Sequence, residues 1–295
     1  MSAVAARRED RARSLVEGEY AFHAEDFRRI AALLYEQSGI SLSESKVALV
    51  YSRLAKRLRA LGLTSFADYC DLVDSPDGDA ERSAMLNALT TNLTRFYREP
   101  HHFEHMRSQL VEPMAAKIRA GGRLRIWSAG CSSGQEPYTI ALTILSVLPQ
   151  APDLDVKILA TDIDSNMLAL CRAGVYAQDA VEPIPAAQRD RWLERDDGRP
   201  GHWRMGAAAR SLVTFNHLNL MSHWPMKGPF QAIFCRNVVI YFDEPTQERV
   251  WSRMAPLLDE DGRLYVGHSE RVGGDGGVLT GDGLTVYRKL ARARA

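Results

Sequence analysis

From Leu124 onward the chain alternates short apolar runs with stretches of helical periodicity, and no other feature limits its folding so tightly. Leu124–Ala129 is a strand-length apolar run, Tyr138–Leu148 has helical texture, Val156–Thr161 is again strand-like, and the spacing predicts a helix about Asn166–Ala173. Strands that alternate with helices run parallel, because each helix carries the chain back across the face of the sheet. The pattern resumes with Gln231–Cys235, a helix about Gln247–Leu258, the Asp261-Gly262 turn, the strand Arg263–Gly267 and a last strand Leu284–Lys289. Between the two blocks, Arg191–Asn216 breaks the alternation. Trp192–Arg195, His202–Met205 and Leu212–Phe215 read as short strands separated by Asp-Asp-Gly-Arg-Pro-Gly and by small residues, which predicts an inserted antiparallel subdomain.

The part before residue 90 is helical throughout. Phe27, Ile30, Ala31 and Leu34 follow i, i+3, i+4, i+7 and stop at Gly39; Ser43 can cap a second helix whose stripe of Val47, Val50, Leu54, Leu58 and Leu61 ends at Gly62. Short helices are expected from about Ser65 and Ala80. Thr90–Glu99 is polar and then aromatic, and Pro100 can open a helix through Phe103, Met106, Leu110 and Met114 towards Gly121-Gly122. A chain of 295 residues is long enough for two cores. The expected division is a flexible arm over residues 1–19, a helical domain over 20–90, a linker and connecting helix over 91–120, and an α/β domain over 121–295 with its β-subdomain at about 187–216.

Charge and cysteine usage narrow the setting. Lys plus Arg and Asp plus Glu are both 37, so no global field draws the chain to nucleic acid or to anionic membrane, and electrostatic recognition has to be local. Cys70, Cys131, Cys171 and Cys235 form no C-x-x-C pair and read as free thiols in a reducing cytosol. Met1–Glu19 lacks the apolar core of a signal peptide, and Ile140–Leu148 is too short to cross a bilayer. A cytoplasmic protein is expected, with no nucleic-acid partner and no membrane insertion. His101, His102 and His105 include an i, i+4 pair of the kind zinc uses, but without a cysteine or third fixed ligand nearby they are expected to be an exposed helix face, and no metal is expected.

In an open α/β sheet, ligands bind beyond the carboxyl ends of the strands. After the first strand comes Ser-Ala-Gly-Cys-Ser-Ser-Gly-Gln-Glu-Pro from Ser128, whose small residues let a ligand lie against the backbone, although many such turns are only tight connections. After the second come Asp162 and Asp164. Either could cap the next helix; Asp164 suits the cap better, which leaves Asp162 for a ribose. Gly130 and Gly134 are not spaced as G-x-G-x-x-G, and Glu136 at the helix start would repel a pyrophosphate while suiting an amine-bearing ligand. S-adenosylmethionine has that chemistry. Asn219-Leu220 and Arg236-Asn237 stand at two further strand ends, where Asn can meet a base edge or simply turn the chain.

Four long segments, Asn-Ala-Leu-Thr-Thr-Asn-Leu-Thr-Arg-Phe-Tyr-Arg-Glu from Asn87, Ser-Ala-Gly-Cys-Ser-Ser-Gly-Gln-Glu-Pro-Tyr from Ser128, Ala-Thr-Asp-Ile-Asp from Ala160 and Ile-Phe-Cys-Arg-Asn-Val-Val-Ile-Tyr-Phe-Asp from Ile233, together resemble the CheR family of chemotaxis receptor methyltransferases. The match runs from about residue 23 to the C-terminus, with Tyr97 where a second Phe is expected. This resemblance implies a class I S-adenosylmethionine-dependent methyltransferase fold, Rossmann-like, with a small antiparallel β-subdomain inserted and an all-helical N-terminal domain before it. It also implies that Asn92, Thr94, Arg98, Glu136, Asp162, Asn219, Leu220, Arg236 and Asn237 line the cofactor site, and that the reaction esterifies receptor glutamates and leaves S-adenosylhomocysteine.

Arg98 is the candidate for orienting a carboxylate. Tyr241, in the loop after Cys235, could contact the substrate or be a packed aromatic. At about 100° per residue, Lys46, Arg53 and Arg57 fall within roughly 40° of each other on the helix from Glu44 to Ala60, with Lys56 nearby. Such a stripe is ordinarily a solvated face; the resemblance makes it a docking edge for the helical cytoplasmic region of receptors, and leaves the β-subdomain as a place for a receptor C-terminal tail. A monomer is expected. The other readings are a methyltransferase for a small molecule, which would not require the basic helical domain, and a receptor-binding module without turnover, against which intact Arg98, Glu136 and Asp162 speak.

Overall fold

The computed structural model describes residues 14–274 and 276–290. They fall into two compact units, one gathering the chain up to Thr91 together with Tyr241–Asp243, the other comprising Asn92–Ile240 and the chain from Glu244 onward.

The first unit is helical: α1 (Ala24–Ser38), α2 (Val47–Leu61), α3 (Phe66–Asp74) and α4 (Asp79–Leu89). Gly39 and Gly62 end α1 and α2 in the left-handed region, at φ 75° and 68°. The apolar stripes meet in one core, with Phe27, Ile30 and Leu34 from α1, Val50, Leu54 and Leu58 from α2, and Phe66 and Tyr69 from α3 all buried. Ser65 caps α3, its Oγ accepting from Asp68 N at 3.1 Å. Ser43 does not cap α2 in the same way. It precedes a 3₁₀ turn, Glu44–Lys46, and its hydroxyl pairs with Ser45 Oγ at 2.7 Å, so α2 starts at Val47 and Lys46 lies off its helical wheel. Of the expected arm, residues 1–13 lie outside the described residues. The rest is tied to this unit: Leu15 N donates to Phe22 O at 2.7 Å, and Glu19 pairs with Arg59 at 2.6 Å.

The second unit opens with the segment Asn92–Glu99 and a helical stretch made of α5 (Pro100–Met106), a π turn (Arg107–Val111) and α6 (Glu112–Arg119). Pro113 has no N–H for the carbonyl one turn back and its ring crowds that carbonyl, so the helix widens just before it. The elements that follow are β1 (Leu124–Ala129), α7 (Gln135–Val147), β2 (Val156–Asp162), α8 (Ser165–Ala173), β3 (Val175–Ala177), α9 (Ala186–Trp192), β4 (Leu193–Arg195), β5 (His202–Met205), α10 (Ala207–Leu212), β6 (Val213–His217), β7 (Phe230–Cys235), α11 (Glu244–Met254), β8 (Leu258–Val266), β9 (Leu279–Gly283) and β10 (Val286–Lys289). Seven strands form one sheet in the order β6-β2-β1-β7-β8-β10-β9. The first five are parallel, and β10 runs antiparallel to both neighbours. Winding proceeds outward from β1 on one side and from β7 on the other, so the crevice for a ligand lies at the carboxyl ends of β1 and β7. No helix among the described residues is long and apolar enough to cross a membrane.

The inserted sheet differs from expectation. Its three strands are ordered β3-β5-β4, so Val175–Ala177 supplies the third, and Val213–His217 pairs in parallel with β2 in the main sheet. The cause is α10. Gly206-Ala207-Ala208-Ala209 reads as a small-residue spacer, but alanine is the strongest helix former, and the turn it makes carries the chain from the insert to the sheet edge.

Candidate active site

Between β1 and α7 the chain makes a tight loop whose Gly130 and Cys131 amides donate to Thr161 O at 2.8 and 2.9 Å. Gly130 has φ 77° and a Cβ there would sit 2.3 Å from Val238 Cγ2; Gly134 has φ 95° and its Cβ would sit 2.7 Å from the Tyr176 hydroxyl. Backbone conformation and contact both demand glycine at each. Asp162, at the end of β2, holds this loop: Oδ2 accepts from Ser132 N at 2.7 Å and Oδ1 from Asp164 N at 2.9 Å. It is therefore not a carboxylate left free for a ligand, although a carboxylate has about four acceptor sites and two of these are used. Burial pushes the Asp162 carboxyl up, and the N–H groups of Asp164 and Ser132 pull it back. Asp164 is the cap of α8, accepting from Asn166 N at 2.9 Å and Met167 N at 3.3 Å.

The segment before α5 folds back over the same loop. Asn92 Nδ2 donates to Asp164 Oδ2 at 2.8 Å, and Ser132 Oγ donates to Asn92 O at 2.9 Å. Thr94 is half-buried on this segment, and Arg98 Nη1 donates to Leu93 O at 2.9 Å. Arg236, at the end of β7, joins it to α7: Nη1 donates to Glu136 Oε2 at 2.9 Å, Nη2 donates to Arg98 O, and Nη2 lies 3.3 Å from Glu99 Oε2. Ser128 Oγ donates to the other Glu136 oxygen at 2.7 Å. Burial pushes the Glu136 carboxyl up, while Arg236 and Ser128 favour its charged form. The charge expected to select against phosphates is thus largely met by Arg236. Burial also opposes ionisation of Glu99, but Arg236 and His268 outweigh it and hold that carboxyl at about 2.

Asn219 turns the chain, its Oδ1 accepting from Met221 N at 2.9 Å, and the buried Leu220 offers its carbonyl to Trp224 Nε1 at 3.2 Å and Arg253 Nη1 at 2.6 Å. Leu218 N donates to Asp162 O at 3.0 Å, which brings this turn beside the glycine loop. Asn237 has φ 58° and donates its N–H to Glu270. Tyr241 clusters instead with the helical unit, where its carbonyl accepts from Ser41 N at 2.8 Å. Arg53 donates to Leu89 O at 2.8 Å and Thr90 O at 2.7 Å, and Arg57 grips Glu81 through Nε at 2.9 Å and Nη2 at 2.6 Å. Lys46 and Lys56 are exposed.

Of the three histidines only His101 is exposed; the other two do not lie on an exposed face. His102 is fully buried with Nε2 2.9 Å from Thr285 Oγ1, and His105 bonds Tyr265 Oη at 3.2 Å and Asp282 O at 2.9 Å, because α5 lies against the last strands of the sheet. Burial and the charge of Arg236 push His102 down to about 3. Ligand atoms of Glu99, His101 and His102 all lie within 4.8 Å of one another, but Arg236 already supplies the positive charge beside Glu99, which disfavours a metal cation there.

Spacing overlooked Glu270. Its oxygens accept from Val238 N at 2.9 Å, Val239 N at 3.0 Å, Asn237 N at 2.9 Å and Gly267 N at 2.5 Å. The signal was present, since Gly267–Glu270 follows directly on β8 and the strand-end rule applies to it as to the others.

Compared with known proteins, residues 92–286 match the CheR methyltransferase SAM binding domain and residues 25–90 match the CheR methyltransferase all-alpha domain. The chain belongs to the CheR methyltransferase family. It is 53% identical over 259 residues to a probable chemotaxis protein methyltransferase of Rhizobium etli, covering 87% of this chain and 96% of that one. It is 44% identical to chemotaxis protein methyltransferase 2 of Pseudomonas aeruginosa, over 91% of this chain and 94% of that one, and 42% identical to the chemotaxis protein methyltransferase of Escherichia coli, over 88% and 89%. The CheR chain is thus a chemotaxis methyltransferase with S-adenosylmethionine as its cofactor.

Proposed function

We propose that this CheR protein works in the cytoplasm as a monomer and esterifies glutamate side chains on the helical cytoplasmic region of chemotaxis receptors. One observation carries the choice of a carboxylate as acceptor. The groups that face Arg236 are poorly suited to act as a base: Glu99 is held at about 2, His102 at about 3, and both oxygens of Glu136 are engaged by Ser128 and Arg236. An amine or hydroxyl must lose a proton to become a nucleophile, whereas a glutamate, with an ordinary pKa near 4.3, is ionised before it arrives.

The residues present fit the cofactor. Gly130 and Gly134 let the loop after β1 turn tightly against Val238 and Tyr176, the Arg236 Nε atom is buried without a hydrogen-bond partner, and the donors and acceptors suit a nucleoside carrying an amino acid. S-adenosylmethionine, when bound, supplies a methyl carbon on a positively charged sulfur. Asp162 would take the ribose hydroxyls on its unused lone pairs, Asn219 the base, and Arg236 with Asn237 the amino-acid end. Arg98 is the candidate for orienting the substrate carboxylate. The protein's share of catalysis is alignment and exclusion of water. Transfer of labelled methyl to receptor-bearing membranes, followed by mild alkali, tests this reading. Label released as methanol supports a glutamyl methyl ester, and alkali-stable label rejects it.

The insert suits a second contact. Both edges of its sheet are short strands, and Arg195 stacks over Trp203 with its guanidinium carbon 3.9 Å from the ring centroid. An acidic receptor tail could add as a strand there. Removing the tail should then raise KM for the receptor, and an unchanged KM would dismiss the contact.

A further inference from the structure

Glu270 touches none of the groups assigned to catalysis, yet its carboxylate is buried and accepts from the N–H groups of three successive residues, Asn237, Val238 and Val239, as well as from Gly267. Successive amides converging on one anion form a nest, and charge-assisted bonds of this kind are about twice as strong as neutral ones. The geometry needs an ionised, acceptor-only group, since each oxygen receives two N–H bonds; a protonated or amide side chain would turn a donor against them. The bonds also maintain Asn237 at φ 58°, a left-handed conformation that a side-chain-bearing residue adopts only when its surroundings impose it. Val238, the middle residue, places its Cγ2 2.3 Å from where a Gly130 Cβ would be. The nest therefore sets the wall against which the glycine loop rests.

We propose that Glu270 is a positioning residue of the cofactor site, fixing the loop after β7 so that Asn237 faces the cofactor and Val238 backs the glycine loop. The proposal rests on the reading that Arg236 and Asn237 line that site. Because the loop holds the cofactor equally before and during transfer, disturbing it costs uniform binding, which raises KM and spares kcat.

Glu270→Gln keeps the shape and removes the charge. Its KM for S-adenosylmethionine should rise roughly tenfold or more with kcat nearly unchanged, the scale of losing a charge-assisted bond. Hydrogen exchange at Asn237, Val238 and Val239 should accelerate in step. Val238→Ala, which leaves the nest intact, should raise KM roughly threefold by removing the wall alone, and it carries the test if Glu270→Gln does not fold. A folded Glu270→Gln with unchanged KM overturns the proposal, whether or not exchange accelerates, and so does a Val238→Ala enzyme with unchanged KM. Titration of Arg236→Ala with S-adenosylhomocysteine separates the two levels. Unchanged affinity there defeats the underlying site reading, while weakened affinity beside a normal Glu270→Gln defeats only the role of Glu270.

Discussion

Each unit contains an arginine–glutamate pair, and the two are built to different ends. In the helical unit, Arg57 meets Glu81 with two nitrogens, Tyr69 Oη adds a third bond to that carboxylate at 2.9 Å, and Arg53 nearby satisfies the last carbonyls of α4. In the methyltransferase unit, Arg236 meets Glu136 through one nitrogen and Glu99 through the other, while Arg236 Nε is buried without a hydrogen-bond partner. Buried polar groups are nearly always satisfied, so the first arrangement is complete as it stands and the second is completed by something else. Charge at a helix surface therefore says little until its partners are known. Arg53 and Arg57, expected as docking residues, also bond within their own domain, and the exposed cations are Lys56 on α2 and Lys46 in the turn before it.

The comparison breaks most sharply under truncation. Arg236→Ala leaves Glu136 and Glu99 buried without their cation, and should cost about 3–5 kcal/mol of stability along with measurable cofactor affinity; Arg57→Ala should also destabilise but leave the affinity of the folded protein untouched. Denaturant melts paired with S-adenosylhomocysteine calorimetry would show the difference, and equal affinities in the two variants would erase the distinction drawn above. Asp162→Ala comes next. Loss of the ribose bonds is worth roughly 1.5–3 kcal/mol of affinity, and release of the Ser132 and Asp164 amides adds to it, so calorimetry showing wild-type affinity would remove Asp162 from the site.

Smaller effects sharpen the picture. Lys46→Glu with Lys56→Glu should raise KM for the receptor a few-fold at low salt, with stability and cofactor affinity unchanged and the effect fading as salt is added. An unchanged KM at low salt would leave the basic edge without a docking role. A pH effect concerns Glu99. Its carboxyl is held near 2 in the folded chain, below its ordinary 4.5, so the stability it adds is present above about 4.5 and is lost as pH falls towards 2. The stability gap between wild type and Glu99→Gln should accordingly narrow on acidification from pH 6 to about 3, and a gap that widens would contradict the assignment.

Much of the α/β frame was legible because alternating apolar runs leave few ways to build a sheet, and the strand-end rule pointed to Asp162, Asn219 and Arg236 for the same reason. Asn92 and Arg98 were not, since their segment reaches the glycine loop only through tertiary hydrogen bonds that no spacing encodes. Val213–His217 was misplaced because a short strand after a hairpin-like pair carries no mark of which sheet it joins. His102 was misjudged for a related reason: a helix end rich in histidine looks solvent-facing until the strands that cover it are known.

The base-free transfer to a carboxylate is the centre of this account, and single-turnover methyl transfer across pH 6–8 with saturating substrates tests it most directly. The rate should be nearly constant, because the nucleophile is ionised throughout and neither Glu99 nor His102 titrates in that range. A rate that climbed about tenfold per pH unit would mean that a proton has to be removed before the methyl moves, and would contradict it.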